Sequence, residues 1–351
     1  MRKLLLVFLI FFQISLQAEE IKIGVILGLT GPAHLWANQG IKGLELAKDE
    51  INNQGGINGK QVKLIIEDSK TDGKTAVTAF NKLVYKDKVS AIIGGSWDLD
   101  SLPIADLARR EKVLIVTPGV FDNGMPKDNQ FFFSTAPRIS SLKNPIEKFF
   151  SINNQLKEVV IFCPDNAWGE SYVKVYKQVL SNNKNIQFSE IRYGTNFNFD
   201  FKIEALKIKT KNPDAVLLCY GTETLSQRFR EINFKPLILT TSEIIEPIKI
   251  RNFSLDKLDG IFYTDFQANI DFQNKFKNKF NIDPFFEPQN LYEALRGIAK
   301  ALEVDSKKPW ELIKSVSYDG VSGKIDFSSQ SANFGDASLF KIENNSIKEI
   351  Q

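Results

Sequence analysis

The run Ile21-Lys22-Ile23-Gly24-Val25-Ile26-Leu27 reads as a β-strand, and Gly28-Leu29-Thr30-Gly31-Pro32-Ala33-His34-Leu35-Trp36 as the loop behind it. A helix carrying Ile41, Leu44, Lys48 and Ile51 follows and stops at Asn52-Asn53-Gln54-Gly55-Gly56-Ile57-Asn58-Gly59. Glycines end helices well because they enter the left-handed backbone region without a Cβ clash. Val62-Lys63-Leu64-Ile65-Ile66 is a second strand, closing on Glu67-Asp68. Strand, helix, strand in this order is a βαβ unit, whose strands lie parallel. The loop leaving its first strand falls at the sheet edge where α/β proteins bind small molecules.

Upstream, Arg2 and Lys3 precede an apolar run from Leu4 to Phe12 that continues weakly to Leu16, and Ala18 is a plausible cleavage residue. That order of charge, apolar run and small residue predicts a signal peptide over residues 1–18 and a soluble, periplasmic mature chain. An uncleaved anchor is the alternative, since Leu16 is larger than the usual residue before a cleavage site. No cysteine stands near the cut, so a lipid anchor is not indicated, and no later segment is apolar enough to span a bilayer. Removing residues 1–18 takes away two bases and no acid, so the formal net charge of +3 falls to +1. No basic block is dense enough for nucleic acid; Lys207-Ile208-Lys209-Thr210-Lys211 reads as a solvated helix face. The remaining length suits two domains.

Downstream the alternation repeats. A helix from Lys74 to Tyr85, a strand Val89–Gly95, a helix from Leu102 to Glu111 and a strand Val113–Pro118 predict a parallel sheet with crossover helices. Phe131-Phe132-Phe133-Ser134-Thr135-Ala136-Pro137 breaks the pattern and reads as an extended crossing segment. A second series begins afresh, with strands Val159–Cys163, Phe188–Tyr193, Ala215–Cys219 and Leu237–Thr241, and a helix from Gly169 to Leu180. Gly260–Asp265 is a further crossing, a helix spans Gln289 to Leu302, and the tail from Gly323 to Ile350 reads as short strands and turns. Two doubly wound half-sheets joined by crossings account for this better than one sheet. Cys163 and Cys219 end two strands that such a sheet makes neighbours. Export permits a bridge, but one between adjacent parallel strands is geometrically awkward, and two buried free thiols are the favoured reading.

The chain resembles the type I periplasmic solute-binding proteins of the leucine/isoleucine/valine-binding family, which serve ABC importers. The matching residues are Ile21 to Pro32, the turn Gly55–Gly59, Asp68, Ile92-Ile93-Gly94, Thr117-Pro118 and Asp165-Asn166-Ala167-Trp168-Gly169. The resemblance covers essentially the whole mature chain. It implies an α/β fold of two doubly wound parallel-sheet lobes joined by three crossing strands, with a ligand cleft between them. Lobe 1 would take residues 19–136 and 268–324, and lobe 2 residues 137–267 and 325–351. A solute that binds the closed state better than the open one shifts the population toward closure.

In that family the loop after Gly94 grips an amino acid's carboxylate with hydroxyls and amides. Here it reads Gly95-Ser96-Trp97-Asp98-Leu99-Asp100-Ser101. Ser96 and Ser101 remain as donors, but Asp98 and Asp100 stand where serines are usual, and a carboxylate cannot donate to a ligand carboxylate. The loop after Pro118 offers Gly119, Val120 and Phe121, without the usual threonine. Trp36 matches a cleft-lining residue, Trp168 an aromatic that packs over ligand, and Glu243 an acid that binds a ligand ammonium. Tyr220, Thr222 and Glu223 follow the third strand of lobe 2 and should face the cleft. Aromatic faces and carboxylates together suit a cationic amine. Asp98 or Asp100 could equally cap the helix that begins near Leu102, and lobe packing would equally account for the tryptophans.

Chemistry finds little footing. His34 is the only histidine, leaving no histidine triad and no multi-histidine metal site. The turn at Gly55–Gly59 ends a helix instead of opening one and lacks a phosphate loop's lysine. No calcium-loop spacing surrounds Asp68 or Asp165. The expected function is therefore an extracytoplasmic receptor, not an enzyme, needing no cofactor or metal. It would trap a small amino acid, amine or amide and pass it to a membrane permease. A sensory receptor of the same fold is the alternative, and an exported hydrolase a third reading.

Overall fold

The computed structural model describes residues 19–119, 126, 128–194, 200–245, 254–266, 268–321, 323–333, 335 and 337–351. The expected signal peptide, Val120 and Phe121 lie outside the described residues.

The first half runs β1 (Glu20–Leu27), α1 (His34–Asn53), β2 (Gln61–Asp68), α2 (Gly73–Asn81), β3 (Ala91–Gly94), α3 (Asp98–Glu111), β4 (Ile115–Thr117) and β5 (Phe132–Pro137). The second runs α4 (Lys143–Ile152), β6 (Glu158–Pro164), α5 (Ala167–Ser181), β7 (Gln187–Tyr193), α6 (Lys202–Thr210), β8 (Ala215–Leu218), α7 (Thr222–Glu231), β9 (Leu237–Thr241) and β10 (Phe262–Phe266). Then come α8 (Ile270–Phe280), α9 (Phe286–Val304), β11 (Ser317–Gly320), β12 (Gly323–Asp326), β13 (Ser331–Asn333), β14 (Ala337–Glu343) and β15 (Ser346–Glu349).

Two mixed sheets result. The first has the order β11-β12-β13-β5-β4-β3-β1-β2, the second β15-β14-β10-β9-β8-β6-β7. Both are parallel through their first five strands in chain order. The period-two side-chain alternation explains the layering. Ile21, Ile23, Val25 and Leu27 of β1 enter a core with α1 and α9, while Ile26 faces α2 and α3. In the second sheet Val159, Ile161 and Cys163 of β6 face α4 and α5, and Val160 and Phe162 face the other way. Strands buried on both sides are near-continuous apolar runs, as parallel sheets require.

Several expectations shift. β5 and β10, the expected crossing strands, also pair in parallel with β4 and β9. α3 begins at Asp98, not near Leu102. Pro103, a residue favoured in a first helical turn, sits inside the helix. The tail divides between the sheets: Ile325 and Phe327 bury in the first core, so residues 325–333 stay with the first sheet, and the second sheet resumes only at Ala337. Finally, Cys163 and Cys219 form a disulfide, with Cα atoms 5.0 Å apart. The register pairs Phe162 with Leu218, so Cys163 and Cys219 fall opposite each other on one face of the sheet at an ordinary bridging separation.

α1 and α9 pack closely because α1 is notched. A Cβ at Gly43 would lie 2.0 Å from the Pro288 carbonyl oxygen, and one at Gly40 would lie 2.4 Å from Leu291 Cδ1. Gly43→Ala should therefore cost about 1–3 kcal/mol in urea unfolding through overpacking. Gly194→Ala, where a Cβ meets nothing within 4 Å, is the control expected to change little.

Candidate functional site

Among the first five strands of each sheet in chain order, the strand order reverses once, between β1 and β3 in the first and between β6 and β8 in the second. Loops leaving the two strands at a reversal diverge to opposite faces and open a crevice. The hydrogen bonds show where each ladder ends. In the first sheet the last bond runs from Gly95 N–H to the Ile26 carbonyl, 3.0 Å. The Gly28 N–H then turns to Ser96 Oγ at 3.0 Å, and the Gly95 carbonyl accepts from Thr117 Oγ1 at 3.0 Å. In the second sheet the last bond runs from Cys219 N–H to the Phe162 carbonyl, 3.2 Å. The Cys219 carbonyl then accepts from Thr241 Oγ1 at 2.9 Å. In both, a threonine on the next strand satisfies the carbonyl that the ending ladder frees.

Around the first crevice stand Trp36 and Trp97, edge to face with centroids 5.4 Å apart. Ser96 is buried and accepts the Gly28 amide, so it ties two loops together. Ser101 is fully buried, and its Oγ has no partner among the described residues. Asp100 is also fully buried: Oδ2 accepts from Ser69 Oγ at 2.6 Å and Oδ1 from Trp97 N–H at 2.8 Å. That second bond caps α3, so Asp100 serves the helix terminus. Asp98 is half-buried in the first turn of α3. Burial raises its pKa, opposed by backbone N–H groups of Leu99 and, from the second half of the chain, of Trp168 and Ala167. A carboxylate from one half thus faces the positive end of α5 in the other.

Around the second crevice, Asn166 caps α5 by accepting from Gly169 N–H at 2.8 Å, which presents Trp168 at the helix start. Trp168 packs edge-on against Tyr172 at 5.0 Å and Tyr220 at 6.4 Å. Thr222 opens α7, buried, with Glu223 half-buried beside it. Glu243 Oε1 accepts from Thr222 Oγ1 at 2.5 Å, Thr240 Oγ1 at 3.2 Å and Thr222 N–H at 3.3 Å. The residue keeps some exposure while its carboxyl is enclosed, and burial outweighs these donors to push its pKa up to about 7.

Two contributors escaped the sequence reading. Thr240 on β9 completes the Glu243 shelf. Glu287 in the first turn of α9 is buried with Oε1 unpartnered among the described residues, and burial together with the Asp100 charge holds its pKa well above the usual carboxylate range. An acid inside an amphipathic helix carries no mark that separates it from a solvated one.

A family profile described as periplasmic binding protein matches residues 20–344. A Leu/Ile/Val-binding protein homologue of Brucella melitensis is 26% identical over 64% of this chain and 62% of its own length. A leucine-, isoleucine-, valine-, threonine- and alanine-binding protein of Pseudomonas aeruginosa is 24% identical over 90% of this chain and 88% of its own. The crystal structure of a leucine binding protein from Thermotoga maritima superposes with a TM-score of 0.82 at 22% identity, covering 94% of this chain and 98% of that one. Among the described residues no helix is long and apolar enough to cross a membrane.

The Glu243 shift fixes a pH dependence. Between its ordinary 4.5 and about 7 the folded state binds a proton that the unfolded state releases, so stability falls as pH rises through that window. Glu243→Gln should remove this slope. The solute-free variant should exceed the wild type above pH 7 by roughly 1–3 kcal/mol, partial exposure lowering the figure, and the gap should close toward pH 4.5. Urea unfolding at a series of pH values checks it.

Proposed function

The chain belongs to the periplasmic binding protein family, and from that premise we propose that it traps a small amino acid, amine or amide bearing an ammonium group. Binding lies between the two strand-reversal crevices. The observation that carries the proposal is the Glu243 carboxyl, enclosed at the second crevice with its pKa raised to about 7. The Thr222 and Thr240 hydroxyls and the backbone N–H groups of Thr222 and Gly221 donate to this carboxyl, yet burial outweighs them. An enclosed carboxyl of this kind gains most from a cation, which restores its ionised form and completes a charge-assisted hydrogen bond. Trp168 and Tyr220 supply aromatic surface beside it, and Trp36 and Trp97 supply more at the first crevice.

Asp98 narrows the choice. A carboxylate already faces the α5 N-terminus and the start of α3, so a second carboxylate placed there meets repulsion in place of free amides. The solute is therefore bound through its ammonium end and released unaltered. In the periplasm the closed protein would present it to the membrane permease of an ABC importer, a partner inferred from the family.

A thermal-shift panel tests the proposal with L-leucine, L-valine, primary alkylamines, aliphatic amides and simple carboxylates. Solutes with an ammonium should raise the melting temperature by several degrees, about 2.7 kcal/mol at a hundredfold excess over Kd. The gain should shrink at least tenfold in apparent affinity in Glu243→Gln. Stabilisation by carboxylates or neutral solutes alone would overturn it.

A further inference from the structure

We propose that the Cys163–Cys219 disulfide is a positioning crosslink of the solute site, holding the Trp168 loop against the Tyr220–Glu243 shelf where the backbone has no bond left to do so. The two sheets end their ladders in the same way, and the comparison isolates what the disulfide replaces. Gly95 N–H bonds to the Ile26 carbonyl in the first sheet as Cys219 N–H bonds to the Phe162 carbonyl in the second. Gly28 and Pro164 are therefore equivalent positions. In a parallel ladder the next bond would come from the N–H of that residue. Gly28 has one, and uses it to tie the two strand exits through Ser96 Oγ. Pro164 has none, so no backbone amide at that position can tie the β6 exit to the β8 exit. The carbonyl that such an amide would have met, at Cys219, is taken by Thr241 Oγ1.

The sulfur bridge stands at this gap, one residue before Pro164 and at the residue that β8 leaves behind. Its two ends lead directly to the solute contacts. From Cys163 the chain passes through Pro164 and Asp165 to the Asn166 cap and Trp168. From Cys219 it passes to Tyr220 and Thr222, and Thr222 holds Glu243. Thr241, bonded to the Cys219 carbonyl, also caps the short turn that carries Glu243. One covalent bond thus sets the spacing between aromatic wall and acid shelf. Glycine tightens the same corner: a Cβ at Gly169 would lie 2.2 Å from the Pro164 carbonyl oxygen.

The experiment is amide hydrogen exchange on the full mature chain, read at the hydrogen-bonded amides of Asp165, Gly169, Glu170, Thr222 and Leu225. Oxidised wild type is compared with the double variant Cys163→Ala/Cys219→Ala and with wild type reduced by a phosphine, which needs no refolding. Exchange at these amides should rise at least tenfold in both, while β1 and β2 stay unchanged. Adding Pro164→Ala to the double variant returns an N–H facing the carbonyl at position 219, and should recover most of the protection. A bridge that merely stabilised the fold would give a uniform rise with no rescue, and that result overturns the proposal, as does unchanged exchange at these amides. The affinity arm rests on the solute-receptor reading and uses L-leucine: reduction should weaken binding at least tenfold. Failure of oxidised protein to bind L-leucine or any other ammonium solute would count against the receptor reading alone, and the exchange result would still decide the crosslink.

Discussion

A parallel ladder ends where its two strands part beside a strand-order reversal, and the rest of the structure depends on how this chain ends two of them. At each reversal the neighbouring strands send their connections to opposite faces, so backbone amides and carbonyls lose their partners together. Those groups are costly to leave buried and unpaired. Thr117 and Thr241 satisfy the freed carbonyls from the next strand. Ser96 and the disulfide join the separating exits. What remains is a pair of crevices whose walls are fixed and whose floors are polar.

Charge in those crevices is governed by desolvation. Asp98, Asp100, Glu243 and Glu287 all have raised pKa values with burial as the leading cause. They are not equivalent. Asp100 is compensated on both oxygens and holds a helix start. Asp98 is compensated by helix-terminal amides from both halves of the chain. Glu243 is incompletely compensated and Glu287 has an unpartnered oxygen. Only a group without its full complement gains from a guest, which is why the proposed binding role falls to Glu243 and not to Asp100.

The alternation of strands and helices was legible in the sequence because runs such as Val159–Cys163 are apolar on both faces, and only a sheet covered on both sides uses such runs. The positions of Trp36, Trp168 and Glu243 at strand exits followed from the same pattern. The start of α3 was not legible, because Pro103 imitates a first helical turn while the true cap is an aspartate reaching back to Trp97. Nor was the split tail: Ile325 and Ile342 are equally apolar, and only tertiary packing assigns one to each sheet. The disulfide was not legible because strand adjacency alone does not show that the register sets the two cysteines opposite each other on one face. Glu287 escaped because burial of a single helix residue is decided by its neighbours on α1, where Gly40 makes room for it.

Small-angle scattering on protein stripped of solute by unfolding and refolding, then given back the small molecule released in that step, tests the central claim most directly. The account predicts a reversible fall in the radius of gyration on adding the molecule back, and recovery of that molecule chemically unchanged. A radius that does not respond, or a returned molecule that has been converted, would contradict it.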